Sequence, residues 1–194
     1  MVAIGLFGPQ GAGKTLLLRE LVKFVRTGGY PGFEVLTENF SGESVVAGDE
    51  GTKTIHPNRV VLKDVKTGRV HCVFAPSGRE SPVARMGRIA VRRLARAVVL
   101  VFDATRPVEE QIDQFDVPAS RGGGVFLVLN KMDALAEERR SELGARVRSE
   151  LERALGRRGV EVEASFKVSG RVQAGLARSN EKFFCALLES CRRL

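Results

Sequence analysis

The chain opens on a run of apolar positions, residues 2–7, that stops at Gly8. A short continuous apolar run bounded by a turn signal predicts a buried strand. Behind it Leu16, Leu17, Leu21, Val22 and Val25 recur at helical spacing, so residues 15–25 are expected to form a helix with one buried face. Residues 27–53 are rich in Gly, Ser, Thr and acids without periodicity, and predict a long mobile loop. Two further runs, 59–65 and 69–74, flank Lys66-Thr67-Gly68 and predict a hairpin. The remaining pattern predicts a basic amphipathic helix over 83–96, a continuous apolar strand over 97–102 and a short helix over 108–115. It continues with a strand over 124–129, a charged helix over 135–155, a strand over 160–168 and a closing helix over 181–192.

Alternation of apolar strands with helices argues an α/β fold, a doubly wound, mostly parallel six-stranded sheet with helices on both faces. The 59–74 hairpin is expected to add one antiparallel edge. Residues 1–194 hold no internal repeat and no long linker, so a single domain is expected.

Composition narrows the setting. No apolar run approaches the roughly 20 residues of a membrane span, and the first residues lack the basic leader of a signal peptide. Three cysteines, Cys72, Cys185 and Cys191, stand at no metal-like spacing and read as reduced thiols. The expected location is the cytoplasm, with peripheral attachment at the inner face of the membrane as an option. Cys191-Arg192-Arg193-Leu194 lacks the aliphatic middle of a prenylation box. A net charge of +8 suits an anionic membrane or an acidic partner, but its arginines interleave with glutamates on the predicted helices. That is a solvated helical face, and no nucleic-acid partner is expected.

The sharpest chemical signal is Gly8-Pro9-Gln10-Gly11-Ala12-Gly13-Lys14-Thr15, which fits G-x-x-x-x-G-K-[ST] between a strand and a helix. Small residues let main-chain N–H groups converge on phosphate oxygens. The helix beginning near Thr15 and Leu16 turns its positive end to the same anion. Lys14 adds a charge between the β- and γ-phosphates, and the Thr15 hydroxyl suits Mg²⁺. Further on, Asn130-Lys131-Met132-Asp133 follows an apolar strand, at the end where a parallel sheet binds its ligands. A carboxylate there accepts two hydrogen bonds from the N1–H and 2-amino edge of guanine, which adenine lacks.

This N-K-x-D segment, downstream of the phosphate loop, resembles the guanine-specificity motif of the Ras-like small GTPases. The resemblance covers nearly the whole chain and implies GTP/GDP and Mg²⁺ as ligands. It implies that Asp133 reads guanine, that Asn130 ties its loop to the phosphate loop, and that the Lys131 stem covers the base. Ser169-Gly170, after the last strand, resembles the loop that supports the guanine oxygen; it is equally an ordinary strand-end turn.

The chain also departs from that family. Where the pattern is D-x-x-G followed by Gln, this sequence has Ala75-Pro76-Ser77-Gly78-Arg79. Gly78 fits the glycine that contacts the γ-phosphate. Ala75 replaces the metal-supporting Asp and Arg79 the water-orienting Gln. Loss of that Asp resembles the prokaryotic polarity GTPases of the MglA kind and the conservon GTPases. By that likeness residues 50–54 form the first switch, with Thr54 as the threonine on Mg²⁺ and γ-phosphate and Thr52 as the alternative. Gln10, beside the γ-phosphate, either blocks a partner's arginine finger or orients water itself. One of Tyr30, Phe33 and Phe40 is expected to stack beside the guanine.

The implied function is a molecular switch with slow GTP hydrolysis, acting in polarity, motility or trafficking through effector and regulator proteins, a roadblock-type regulator among them. Gln10, Lys14, Thr54, Gly78 and Arg79 are the candidate catalytic set. A nucleotide-binding scaffold without hydrolysis is the alternative. A P-loop metabolite kinase is a third, against which the N-K-x-D segment argues.

Overall fold

The computed structural model describes residues 1–40, 43–45, 52–54, 57–112, 124–156, 162–169 and 174–194, with the backbone alone for 43–45, 52–54, 108, 143, 144, 147, 174 and 175. Its elements are β1 (Val2–Phe7), α1 (Lys14–Arg26), β2 (Phe33–Asn39), β3 (Glu43–Val45), β4 (Thr52–Thr54), β5 (Asn58–Asp64) and β6 (Val70–Ala75). They continue as α2 (Pro82–Leu94), β7 (Ala95–Asp103), α3 (Val108–Ile112), β8 (Val125–Asn130), α4 (Glu137–Gly156), β9 (Ala164–Lys167) and α5 (Ala174–Arg193).

One sheet runs in the order β2-β5-β6-β1-β7-β8-β9. The strands β6, β1, β7, β8 and β9 are mutually parallel, and β5 and β2 are antiparallel additions. The chain crosses from one side of β1 to the other, so a crevice opens where β1 ends and α1 begins, the place where such sheets bind ligands. Ala97, Val99 and Val101 of β7 join the core under α1 and α5, while Val98, Leu100 and Phe102 join the core under α2 and α4. A strand covered on both faces is apolar along its covered length, which is why β1, residues 97–102 of β7 and residues 125–129 of β8 read as unbroken apolar runs.

The doubly wound, mostly parallel sheet expected from the sequence is present, with seven strands rather than six. The extra strand is β2, inside the segment expected to be a loop. It pairs with β5 from Phe33 opposite Asp64 to Asn39 opposite Arg59. Only Phe33 and Val35 turn inward, and the other five positions are exposed. Main-chain bonds to β5 hold this edge strand, so apolar alternation never betrays it. A second short pairing, β3 with β4, lies in the same segment. The 59–74 hairpin is therefore interior to the sheet, and β2 is the antiparallel edge. The closing helix begins at Ala174, seven residues before the apolar spacing predicts it.

The end of the sheet away from the crevice is tied by Asp64. This fully enclosed carboxylate accepts from Arg192 of α5 at 3.2 Å, from the Lys66 N–H at 3.0 Å and from the Thr67 hydroxyl at 3.1 Å. Arg192 also reaches the Tyr30 hydroxyl and the Pro31 carbonyl, and its guanidinium lies over the Tyr30 and Phe33 rings. Tyr30 and Phe33 thus sit at the start of β1, opposite the phosphate loop, and neither stacks on a base bound at the crevice. Phe40 lies instead under Arg19 of α1.

Candidate functional site

The glycine-rich loop leaves β1 at Gly8 and enters α1 at Lys14. Gly13 caps the helix with φ of 86°, a left-handed conformation that a side chain strains. The space is closed as well: a Cβ there would stand 2.2 Å from Asn130 Nδ2. Gly11 is also left-handed, Ala12 is fully buried, and Gln10 and Leu16 are exposed. No acidic residue occupies the first turn of α1, so its N-terminal N–H groups and dipole face the crevice uncompensated.

Lys14 is buried and folds back over this loop, donating to the carbonyls of Gly8 at 2.7 Å and Pro9 at 2.8 Å. Burial, and after it the positive charge of Arg88, lowers its ammonium from the ordinary 10.5 to about 7. The Thr15 hydroxyl accepts from Asn58 Nδ2 at 3.1 Å. Asn58 opens β5, is fully enclosed, and stands directly opposite Ala75.

After β6 the chain presses against the loop. A Cβ on Gly78 would lie 2.4 Å from the Gln10 nitrogen and 2.5 Å from the Pro9 carbonyl carbon, so this position admits glycine alone. Ser77 is buried and its hydroxyl accepts from the Arg79 N–H at 3.2 Å. Arg88 of α2 reaches back to donate to the carbonyls of Ser77, at 3.1 Å, and of Arg79.

The second half of the site grows from β8. Asn130, at its end, donates from Nδ2 to the Ala12 carbonyl at 2.8 Å and so joins the two loops. Lys131 is left-handed, with φ of 63°, and its ammonium meets Asp103 Oδ2 at 2.6 Å. Burial alone would raise the Asp103 carboxyl, but bonds from Lys131 and Thr105 outweigh it and hold the group below its ordinary range. Gln111 fixes the same strand end, accepting from the Asp103 N–H and donating to its carbonyl.

Asp133 follows in a single 3-10 turn, Met132–Ala134. Its Oδ1 accepts from the Ser169 hydroxyl at 2.5 Å, and its carbonyl accepts from Arg140 at 3.3 Å. Ser169 is itself clamped by the buried Asn180 of α5, which accepts from its N–H at 3.0 Å and donates to its carbonyl at 2.7 Å.

The structure therefore gathers Gly8, Gly11, Ala12, Gly13, Lys14, Thr15, Gly78, Asn130, Asp133 and Ser169 at one end of the sheet. Gly170 lies outside the described residues. Thr54 and Thr52 are placed as backbone only, in β4 opposite Glu43 and Val45. Sequence reasoning missed Asn58, Asp103, Gln111 and Asn180, and read Arg88 only as one of the repeated arginines of the 83–96 helix or as a lid residue of the kinase alternative. Asp103 alone carried a local signal, an Asp two residues before Thr105 in an Asx-turn spacing at a strand end. Among the described residues, no group of three or more His, Cys, Asp or Glu side chains is placed to hold a metal ion.

No protein-family model and no curated protein sequence matches the chain. Similar folds occur among solved structures. The bacterial selenocysteine-specific elongation factor EF-Sec superposes with a TM-score of 0.63 at 19% identity, over 100% of this chain and 28% of that one. Translation elongation factor SelB from Methanococcus maripaludis, in complex with the GTP analogue GppNHp, gives 0.55 at 13% identity over 98% of this chain and 34% of that one. SsGBP in complex with GDP gives 0.52 at 14% identity over 97% and 50%. The chain spans from about a quarter to half the length of these proteins. The likeness shows the fold alone, a mostly parallel α/β sheet with helices on both faces.

Proposed function

We propose that this chain is a guanine-nucleotide-binding molecular switch whose own GTP hydrolysis is slow and which works through partner proteins. The observation that carries the reading is the join between the two loops, Asn130 to Ala12 at 2.8 Å. It fixes the Asp133 carboxylate relative to Lys14, so one ligand with a purine at one end and phosphates at the other spans both. Oriented by Ser169, Asp133 retains acceptor capacity for the paired N–H donors of guanine. Two of the proteins that share the fold were solved with GppNHp or GDP.

In this reading the N–H groups of residues 11–16 hold the α- and β-phosphates, and Lys14 turns its ammonium from the loop carbonyls to the β- and γ-phosphates. The Thr15 hydroxyl, with Thr54 or alternatively Thr52, would hold Mg²⁺, which would supply charge neutralisation on the phosphates. The residues present fit such an ion thinly. Ala75 brings no carboxylate, and Thr15 is supported by a neutral amide, Asn58.

Slow turnover follows from the same residues. Arg79 replaces the water-orienting amide, and its N–H is turned to the Ser77 hydroxyl. Positioning and charge compensation supply nearly all of the catalysis in this chemistry, and both are reduced here. Gln10, exposed beside Gly78, either orients the water or obstructs a partner's arginine.

The readout surface is α2, where Val83, Met86 and Ile89 are exposed beside Arg85 and Arg92. That mixture suits an effector with apolar and acidic groups, or an anionic membrane surface met from the cytoplasm. The likeness of residues 50–54 and 75–78 to the MglA and conservon GTPases supports a role in polarity, motility or trafficking and a roadblock-type regulator.

The test is the nucleotide carried by purified protein and its multiple-turnover rate. Bound GDP or GTP with turnover well below roughly 1 per second, the partner-stimulated regime, is expected. Adenine nucleotide, or fast unassisted turnover, overturns the reading. Tight binding with no turnover at all selects the scaffold alternative, which Ala75 and Arg79 favour.

A further inference from the structure

Arg88 belongs to the arginine-rich face of α2, yet it is turned inward. Its neighbours Arg85, Met86 and Ile89 are exposed while Arg88 is half-buried. Its guanidinium donates to the carbonyls of Ser77 and Arg79, the two residues flanking Gly78. Gly78 in turn abuts Pro9 and Gln10 so closely that no side chain fits between them. A three-residue arch is thus pressed against the first half of the phosphate loop by two hydrogen bonds from one guanidinium nitrogen, Arg88 Nη1.

We propose that Arg88 is the positioning residue that makes the site prefer a nucleoside triphosphate to the diphosphate, holding the Gly78 arch and adding a fixed positive charge on the γ-phosphate side. The inference rests on the guanine-nucleotide reading above. Arg88 and Lys14 are both basic side chains, held on segments that touch each other: Lys14 on Gly8 and Pro9, Arg88 on the residues either side of Gly78, which abuts Pro9. Each donates to main-chain carbonyls, and among the described residues neither is bonded to a carboxylate. Two cations held together in a partly buried site repel, and an anion between them removes that cost. A terminal phosphate carries the additional charge next to Gln10 and Gly78, and a diphosphate ends short of it. The discrimination therefore falls on the triphosphate alone.

The experiment is equilibrium binding of GppNHp and of GDP, in Mg²⁺, to the full chain and to its Arg88→Gln and Arg88→Lys variants. Loss of a charge-assisted interaction predicts that Arg88→Gln weakens GppNHp by about tenfold or more, with GDP changed by less than about twofold. Arg88→Lys keeps the charge on a shorter, differently placed head that reaches the two carbonyls less well, so it retains part of the preference. Should Arg88→Gln fail to fold, Arg88→Lys carries the comparison, with a reduced GppNHp-to-GDP ratio expected. Equal weakening of both nucleotides, or an unchanged ratio in both variants, overturns the inference and leaves the guanine-nucleotide reading standing. Wild-type protein that binds neither nucleotide overturns that reading and this inference together.

Discussion

Asn58 stands opposite Ala75 in the β5–β6 pairing and delivers its amide to the Thr15 hydroxyl at 3.1 Å. The strand that lacks a carboxylate is thus complemented by its neighbour, and the group supplied is neutral. Asn58→Ala removes a buried partner of Thr15, which costs about 1–3 kcal/mol. At roughly 2–4 °C per kcal/mol for a chain of this size, thermal unfolding detects it. Asn58→Asp places a negative charge beside the same hydroxyl. Nucleotide binding titrated against Mg²⁺ is expected to shift to lower metal concentration in this variant, and an unchanged midpoint would show that Asn58 does not face the metal.

Lys14 makes binding and stability respond to pH in opposite senses. Its ammonium is lowered from 10.5 to about 7, chiefly by burial and then by Arg88. Between those values the unfolded chain binds more protons than the folded one, so the Lys14 contribution to stability rises with pH across that window and is flat below it. A phosphate ligand requires the charged form. Nucleotide affinity is therefore expected to fall as pH rises above about 7, by at most about tenfold per unit. Calorimetric titration in two buffers of different ionisation enthalpy at pH 8 should register proton uptake on binding.

Asp133 sets the choice of base. Asp133→Asn exchanges one acceptor for a donor, leaving guanine with an unmatched N–H and offering a partner to the 2-oxo group of xanthine. GDP affinity is expected to fall about a hundredfold or more, while xanthosine diphosphate gains. Equal affinities of the variant and the wild type for GDP would remove Asp133 from the base pocket.

Arg192 is expected to matter for stability and not for nucleotide. Burial alone would raise the Asp64 carboxyl, but the Arg192 guanidinium, the Lys66 N–H and the Thr67 hydroxyl bring it below its ordinary range. A depressed carboxyl contributes stability above its unfolded value and loses it as pH falls through its folded value. Arg192→Ala is accordingly expected to lower Tm at pH 7, with the difference from wild type narrowing in acid and GDP affinity unchanged. A deficit as large at pH 2 as at pH 7 would contradict this account.

The parts legible in the sequence are those whose information is local. Gly8 to Thr15 declare themselves because strand, turn, cation and hydroxyl are consecutive. The unbroken apolar runs of β1, β7 and β8 follow from burial on both faces. β2 was illegible because five of its seven positions face solvent and its partner strand supplies the order. Asn58, 43 residues from Thr15, and Arg192, 128 from Asp64, act only through folding. Arg88 resembled its neighbours along α2 until the helix was set against Ser77 and Arg79.

The central claim is that one purine nucleotide spans Lys14 and Asp133. Its most direct test is calorimetric titration of nucleotide-stripped protein with GDP and with ADP in Mg²⁺. The account predicts GDP binding at micromolar concentration or tighter, with ADP about a hundredfold or more weaker. Absent GDP binding, or equal affinity for ADP, would contradict it.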